Sequence, residues 1–312
     1  MDAIVKAGPF TFLVEWKGSG RATAVAQAIE QLVGHAKETQ GIPLVAVPFM
    51  GEIGRKRCSE AGIAWLDLSG NARIFATGLR ILVDGKPNRY KQRGRPSTPF
   101  APKSSRIARW LLIHPSEWLT QRELARATDT DEGYTSRVVG RLEEAELITR
   151  NPDGAIQPRD PDLLLDAWLE EYDFTKHRIL KGHIAARSGE ALVREAAETL
   201  EEASVAFAAT GLAAAWFLDH FAGFRIATLY LAAEPSPELL TALSFRAEER
   251  GANVWLVVPN DEGVFHGAMT VDDVRCVHPV QIYLDLSAHP ERAEEAAQRL
   301  RSNHLNWKSN DR

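Results

Sequence analysis

Residues 87 to 103 read PNRYKQRGRPSTPFAPK, and this stretch constrains the fold more than any other in the 312-residue chain. Its four prolines fix backbone angles and remove amide donors, so neither a helix nor a sheet ladder runs through it. The hydrophobic period changes across it. Before it, strand-like apolar runs alternate with helical spacing; after it, three segments in succession are helical. A chain this long needs more than one core, and the stretch marks where the first ends. The reading is an α/β and α+β multidomain protein: an α/β domain over 1–86, a basic linker over 87–103, a winged helix-turn-helix over 104–160 and a further domain over 161–312.

In the first domain, TFLVEWK reads as a strand with Phe12, Val14 and Trp16 on one face and Leu13, Glu15 and Lys17 on the other. A helix follows in ATAVAQAIEQLVGHAKE, then a buried strand in IPLVAVPFM, a short helix in GEIGRKRCSEAG, and strands in IAWLDLSG, ARIFATG and LRILVDG. The pattern predicts strands buried on both faces. Gly70 and Asn71 tolerate left-handed backbone, which makes LSGN a tight turn, with Asp67 in a polar cluster beside it.

After the linker come the helices SSRIARWLLIHP, TQRELARATD and DEGYTSRVVGRLEEAE, then two short strands in LITRNPDGAIQPRD. Thr120 and Glu123 are spaced as a capping box at the start of the second helix. Three helices and a hairpin, in that order, describe a winged helix. Its third helix places Glu132, Tyr134, Thr135 and Arg137 as candidates for base edges in double-stranded DNA and Arg141 for phosphate. Arg150, Asn151 and Arg159 in the wing are candidates for the flanking backbone.

From residue 161 the chain starts with the amphipathic helix PDLLLDAWLEEYD, whose Leu163, Leu164 and Trp168 are the candidate contact of a homodimer. Strands at HRILKGHIAA, VAFAATG, FRIATLYLAA and NVWLVVPN then alternate with helices at GEALVREAAETLEEA, LAAAWFLDHFA, SPELLTALSFRAEERG and PERAEEAAQRLRSNHL. The histidines here have no metal-ligand spacing, and Asp272 with Asp273 fits a loop cap as well as a metal. No catalytic set appears.

The net charge of −5 speaks against indiscriminate nucleic-acid binding, yet residues 87 to 110 carry seven Lys or Arg and no acid. Cys58 and Cys276 lie far apart and outside metal spacing, which suits reduced core thiols in a cytoplasmic protein. No apolar run approaches a membrane span.

Three resemblances add to this reading. QRGRPS resembles the core of an AT-hook, which would place Arg93 and Arg95 in a DNA minor groove. The pair in VEWKG, with Asp2 a hairpin's length upstream, resembles PD-(D/E)XK nucleases of the restriction-endonuclease-like fold. That resemblance implies Asp2, Glu15 and Lys17 as catalytic residues and Asp2 and Glu15 as ligands of Mg²⁺. Finally VHPVQIYLDLSAHPERAEEAAQRLRS, with TGLAAAW upstream, resembles the AbiEi family of type IV antitoxins. It implies a DNA-binding transcriptional regulator and antitoxin, without cofactor, whose partner is a nucleotidyltransferase-like toxin. The alternative is a Mg²⁺-dependent DNA nuclease guided by its winged helix.

Overall fold

A computed structural model describes residues 1–36, 40–90, 98–221, 223–287, 289–290 and 293–307. The chain divides into two compact units, the first made of Met1–Thr98, Glu143–Leu147 and Asp162–Glu170, the second of the remainder.

In the first unit, β1 (Ala3–Ala7) and β2 (Phe10–Trp16) form a hairpin, turning at Gly8 with φ of 59°. Helix α1 (Ala22–Ala36) carries the chain to β3 (Ile42–Val47), and α2 (Glu52–Glu60) carries it to β4 (Ala64–Asp67), each strand parallel to the one before. β5 (Ala72–Ala76) and β6 (Leu79–Val83) close a six-stranded sheet whose order follows the sequence. Crossovers of one hand, moving one way across a sheet, put their helices on the same face. Leu13, Val45, Val47 and Trp65 accordingly pack with Val25, Leu32, Met50 and Cys58 in one core.

The other face is buried too over the central strands β3 and β4, as expected, while the outer strands β1 and β6 are exposed. The pairing registers place Ala3, Val5 and Ala7 of β1, Phe10, Phe12, Val14 and Trp16 of β2, and Ile42, Leu44 and Ala46 of β3 on it. Ala64 and Leu66 of β4, Ala72, Ile74 and Ala76 of β5, and Leu79, Ile81 and Val83 of β6 complete it. None is polar. Their buried cluster, centred on Phe12, Leu44 and Ile74, contains sheet residues alone.

The turn after β4 is a polar knot, as its sequence suggests. Asp67 is 4% exposed and accepts from the Asn71 amide at 2.9 Å, the Asn71 side chain at 2.9 Å and the Met50 amide at 3.2 Å. Asn71 in turn donates to the Lys86 carbonyl at 3.1 Å and accepts from its amide at 2.8 Å. Gly70, with φ of 100°, supplies the left-handed step.

The linker ends two residues earlier than its composition suggests, because Pro102 fits the first turn of α3 (Pro102–Ile113), where no amide is needed. Helices α4 (Gln121–Ala127) and α5 (Glu132–Glu144) follow, then the wing strands β7 (Ile148–Arg150) and β8 (Ile156–Pro158). Leu119 pairs with Ile156 through a single antiparallel bridge beside the wing. The Thr120–Glu123 capping box is present in full.

Helix α6 (Pro161–Leu169) corrects one expectation. Leu163, Leu164 and Trp168 are buried at 6%, 0% and 2% exposure, so they form core and not a dimer surface. Asp166 takes a hydrogen bond from Arg57 Nε at 2.8 Å, and Glu170 accepts from the Ala22 amide at 2.9 Å, capping α1 within the first unit.

The last domain is a seven-stranded mixed sheet in the order β12-β9-β13-β11-β10-β15-β14. Its strands are β9 (Arg178–His183), β10 (Phe207–Thr210), β11 (Ala227–Leu231), β12 (Arg246–Ala247), β13 (Val254–Val258), β14 (Met269–Val271) and β15 (Val274–Cys276). Its helices are α7 (Gly189–Glu202), α8 (Gly211–Asp219), α9 (Pro237–Ala242), α10 (Pro279–Leu286) and α11 (Ala293–His304). α9 is shorter than its sequence suggests: Ser244, with φ of 51°, ends it and turns the chain into β12. Asp272 and Asp273, both with positive φ, form the two-residue turn of the β14–β15 hairpin. Among the described residues no helix is long and apolar enough to cross a membrane.

Asp67→Ala should destabilise the first unit by about 3 kcal/mol, since it strands two buried backbone amides and one side-chain amide. Urea unfolding followed through Trp65 fluorescence measures this, and a shift below about 1 kcal/mol would make the knot dispensable.

Candidate nucleic-acid interface

The turn before α5 is built from short polar side chains. Past the end of α4, Asp129 takes a left-handed φ of 50°, and the Thr130 amide returns to the Ala125 carbonyl at 2.9 Å. Asp131 caps α5 by accepting from the Tyr134 amide at 2.7 Å. Hydroxyls of Thr128, Thr130 and Thr135 link at 3.0 and 2.8 Å, and Thr135 also donates to the Asp131 carbonyl at 3.0 Å. Thr135 is fully buried, which removes it from the base-edge candidates. It lies on the inward stripe with Val138, Val139 and Leu142, so its hydroxyl fastens the turn.

The outward stripe carries the charge. Arg137 is exposed and its guanidinium lies 5.8 Å from the Tyr134 ring centre, while Lys103 Nζ lies 5.6 Å from the same ring. Tyr134 is half-buried and its hydroxyl bonds Ser104 Oγ at 2.7 Å, so its role is to hold two cations in place. Glu132 is exposed and meets Arg122 Nε of α4 at 3.1 Å, which offsets its negative charge. Arg141 is half-buried on the same helix. In the wing, Arg150 Nη1 donates to the Gly154 carbonyl at 3.2 Å, and Arg159 is exposed. Asn151 Oδ1 accepts from the amides of Asp153 and Ala155 at 3.1 and 2.9 Å, which makes it the residue that shapes the wing turn.

Sequence reasoning did not pick out Lys103, Arg122 or Ser136, all exposed on the winged helix. Their signal was available, since Arg122 opens α4 and Ser136 precedes Arg137. Conversely, two of the described cations in the basic stretch, Arg106 and Arg109, point inward. Arg106 is 7% exposed and makes a two-pronged bond to Asp261, Nε to Oδ1 at 2.8 Å and Nη2 to Oδ2 at 2.9 Å; its pKa is raised first by that bond. It also reaches Glu262 at 3.2 Å and the Thr128 carbonyl at 3.3 Å. Arg93 and Arg95 lie outside the described residues.

Arg109, 2% exposed, donates through Nη2 to Gln281 Oε1 at 2.6 Å and so joins α3 to a buried network of the last domain. Gln281 Nε2 donates to Asp285 Oδ1 at 2.8 Å and to the Tyr172 hydroxyl at 3.0 Å. Tyr172 and Tyr230 donate to Asp285 Oδ1, and Thr210 donates to Oδ2 at 2.5 Å. His177 Nδ1 accepts from the Asn260 amide at 3.1 Å, so its neutral ring carries the proton on Nε2 and donates to Tyr172 at 3.1 Å. Burial raises Asp285 to a pKa of about 6 against the pull of its four donors. Burial likewise lowers His177 and His278 to about 4, and raises Cys58 and Cys276 to about 12 as inert core thiols.

In the first unit, extension of the hairpin register sets Asp2 opposite Glu15. Asp2 Oδ2 accepts from the Trp16 amide at 2.8 Å. Glu15 is 3% exposed, and its oxygens meet Lys17 Nζ at 3.1 Å and the amino group of Met1 at 3.0 Å. Lys17 also donates to Gln31 at 2.6 Å. This donor set does not fit the Mg²⁺ that the nuclease resemblance implies, because the most buried carboxylate already faces two ammonium groups. Among the described residues no three His, Cys, Asp or Glu gather as a metal cage.

These features define a winged-helix DNA-binding module carried on a larger domain. Residues 100–155 match the MarR family. Residues 158–306 match the family described as transcriptional regulator, AbiEi antitoxin, of type IV toxin-antitoxin systems. The matched domains are those of a DNA-binding transcriptional regulator, and residues 158–306 are similar to the AbiEi antitoxin family. Comparison with curated proteins and with solved structures returns no match.

The buried histidines set a pH dependence. A folded pKa below the ordinary 6.5 means the unfolded chain binds more protons, so their contribution is complete above pH 6.5 and is lost as pH falls toward 4. Asp285, raised from 3.8, acts in the opposite direction, but it is one group against two. The melting temperature should therefore fall by several degrees between pH 7 and pH 4.5, and His177→Gln should flatten that slope. An unchanged slope in the variant would remove His177 from the effect.

Proposed function

We propose that the protein is a repressor of its own operon and the antitoxin of a type IV toxin-antitoxin pair. Its partners in this reading are double-stranded DNA and a nucleotidyltransferase-like toxin, and it acts as a homodimer on paired half-sites. The observation that carries the DNA half is the exposed Lys103–Tyr134–Arg137 cluster at the head of α5, where a recognition helix meets base edges. Arg137 is the base reader, with Arg141, Arg150, Arg159 and Arg122 serving phosphate. Arg93 and Arg95 extend the grip into an adjacent minor groove.

The N-terminal unit, in this reading, keeps a restriction-endonuclease-like arrangement of hairpin, helix and parallel strand as a structural domain. Asp2, Glu15 and Lys17 then act as an ion-paired cluster that supports the hairpin, and no cleavage step is assigned to them.

Arg137→Ala should weaken binding to the promoter of its own operon by about 1–3 kcal/mol and relax base preference at one position, read by gel shift at fixed salt. Unaltered affinity would move recognition off α5. The antitoxin half is tested by growth: co-expression with the toxin encoded beside it should restore growth, and Arg137→Ala should still do so. Failure of the parent chain to rescue would leave a regulator without antitoxin activity.

A further inference from the structure

We propose that the helix side of β5 and β6 in the N-terminal unit is a second DNA-contacting surface, on which Arg73 and Arg80 take backbone phosphates of double-stranded DNA. The proposal rests on the regulator reading for the DNA itself. It goes beyond that reading in giving the N-terminal unit a share of the duplex.

The pairing registers set Trp65, Arg73 and Leu82 in one row across β4, β5 and β6, and Phe75 beside Arg80 in the next. Trp65 is covered: it packs in the core with residues of α1 and α2, and the Arg55 guanidinium lies 5.2 Å from its ring centre. The outer two strands are left open, Phe75 being 39% and Leu82 63% exposed. Arg73 and Arg80 both lie against the Phe75 ring, 4.4 and 4.8 Å from its centroid. Attraction to an aromatic ring holds a guanidinium in place without consuming its N–H donors. Among the described residues neither arginine meets a carboxylate or donates a hydrogen bond. Two ordered, charged forks with unused donors are the chemistry that grips phosphate oxygens in pairs.

Charge points to DNA as the occupant. From Asn71 to Ala101 the chain carries seven Lys or Arg and one acid, Asp84, although the whole protein has a net charge of −5. That acid is taken up by Arg55. The polar turn after β4 fixes two more of the cations beside the patch. Asn71 holds the Lys86 backbone at its carbonyl and its amide, and the Ser69 hydroxyl accepts from the Arg89 amide at 3.3 Å, which pins this segment to the turn while both side chains stay exposed. In sequence the basic stretch then continues through Lys91, Arg93 and Arg95 into the winged helix. Cations spread along a strand edge and onward toward a DNA-binding module match a partner whose charge repeats along its length, as the phosphates of a duplex do about every 1.7 Å of its axis.

The test is gel shift of the full chain between about 0.05 and 0.2 M salt, on the promoter of its own operon and on a scrambled duplex of the same length. Arg73→Ala/Arg80→Ala should make the slope of log affinity against log salt shallower by about 2 and lower affinity about 10-fold or more at about 0.1 M salt. The loss should be equal on both duplexes, because phosphate contacts carry no base information. Arg73→Lys/Arg80→Lys keeps both charges and should keep the slope; a slope lost there as well would trace the effect to a disturbed sheet and overturn the proposal. An unaltered slope in the alanine variant would also overturn it, and if the same arginines were then needed to bind the toxin, the face would belong to a protein partner. Arg137→Ala separates this proposal from the recognition reading. Unaltered affinity in that variant, with a shallower slope in Arg73→Ala/Arg80→Ala, removes recognition by α5 and leaves this surface standing, while the reverse pattern removes this surface alone.

Discussion

Arg106 and Arg109, nearly one turn apart on α3, carry charge into the protein and not toward solvent. Each is costly to bury alone: Arg106 is matched by the carboxylates of Asp261 and Glu262, whereas Arg109 donates to the neutral side-chain oxygen of Gln281. A matched buried ion contributes little net stability, but removal of its partner costs about 3–5 kcal/mol. The pairs therefore act as a positional lock. They make the winged helix and the domain behind it part of one compact unit, and they place the first helix of the DNA module one hydrogen bond from Gln281 and two from Asp285.

The lock takes Arg106 and Arg109 out of the surface, and described cations that stay outside gather on the winged helix. Lys103 and Arg137 flank one aromatic ring, and Arg122 cancels Glu132 at the start of the recognition helix. An exposed pair such as Arg122–Glu132 adds little to stability. Its consequence is electrostatic: it offsets the negative charge of Glu132 at the start of α5.

The N-terminal unit obeys a different constraint. Two parallel crossovers running the same way across the sheet leave one face to its own side chains, and the knot at Asp67 and Asn71 ties three chain segments together at the end of β4. The carboxylate and lysine of VEWKG are drawn into ion pairing beside α1, where Gln31 completes the cluster.

Strand and helix order from β2 to β6, the capping box, the turn at Gly70 and the winged helix were legible from residues, because each depends on neighbours within about one turn or one strand repeat, whereas β1 was not picked out. α10 was not. All eight of its residues are buried, so it carries no amphipathic stripe to reveal its period. Nor was the fate of individual polar groups. Thr135 and Arg137 lie two residues apart on one helix, and only the packing of α5 turns one inward and the other to solvent. Arg106 and Arg109 read as part of a basic stripe because their acceptors, Asp261 and Gln281, lie more than 150 positions away. Leu163, Leu164 and Trp168 read as an open apolar face for the same reason. Local sequence determined which elements form and where they end, while partners distant along the chain decided which faces are core and which charges remain at the surface. The physical cause is that burial and ion pairing depend on spatial neighbours, and those neighbours exist only once the chain has folded.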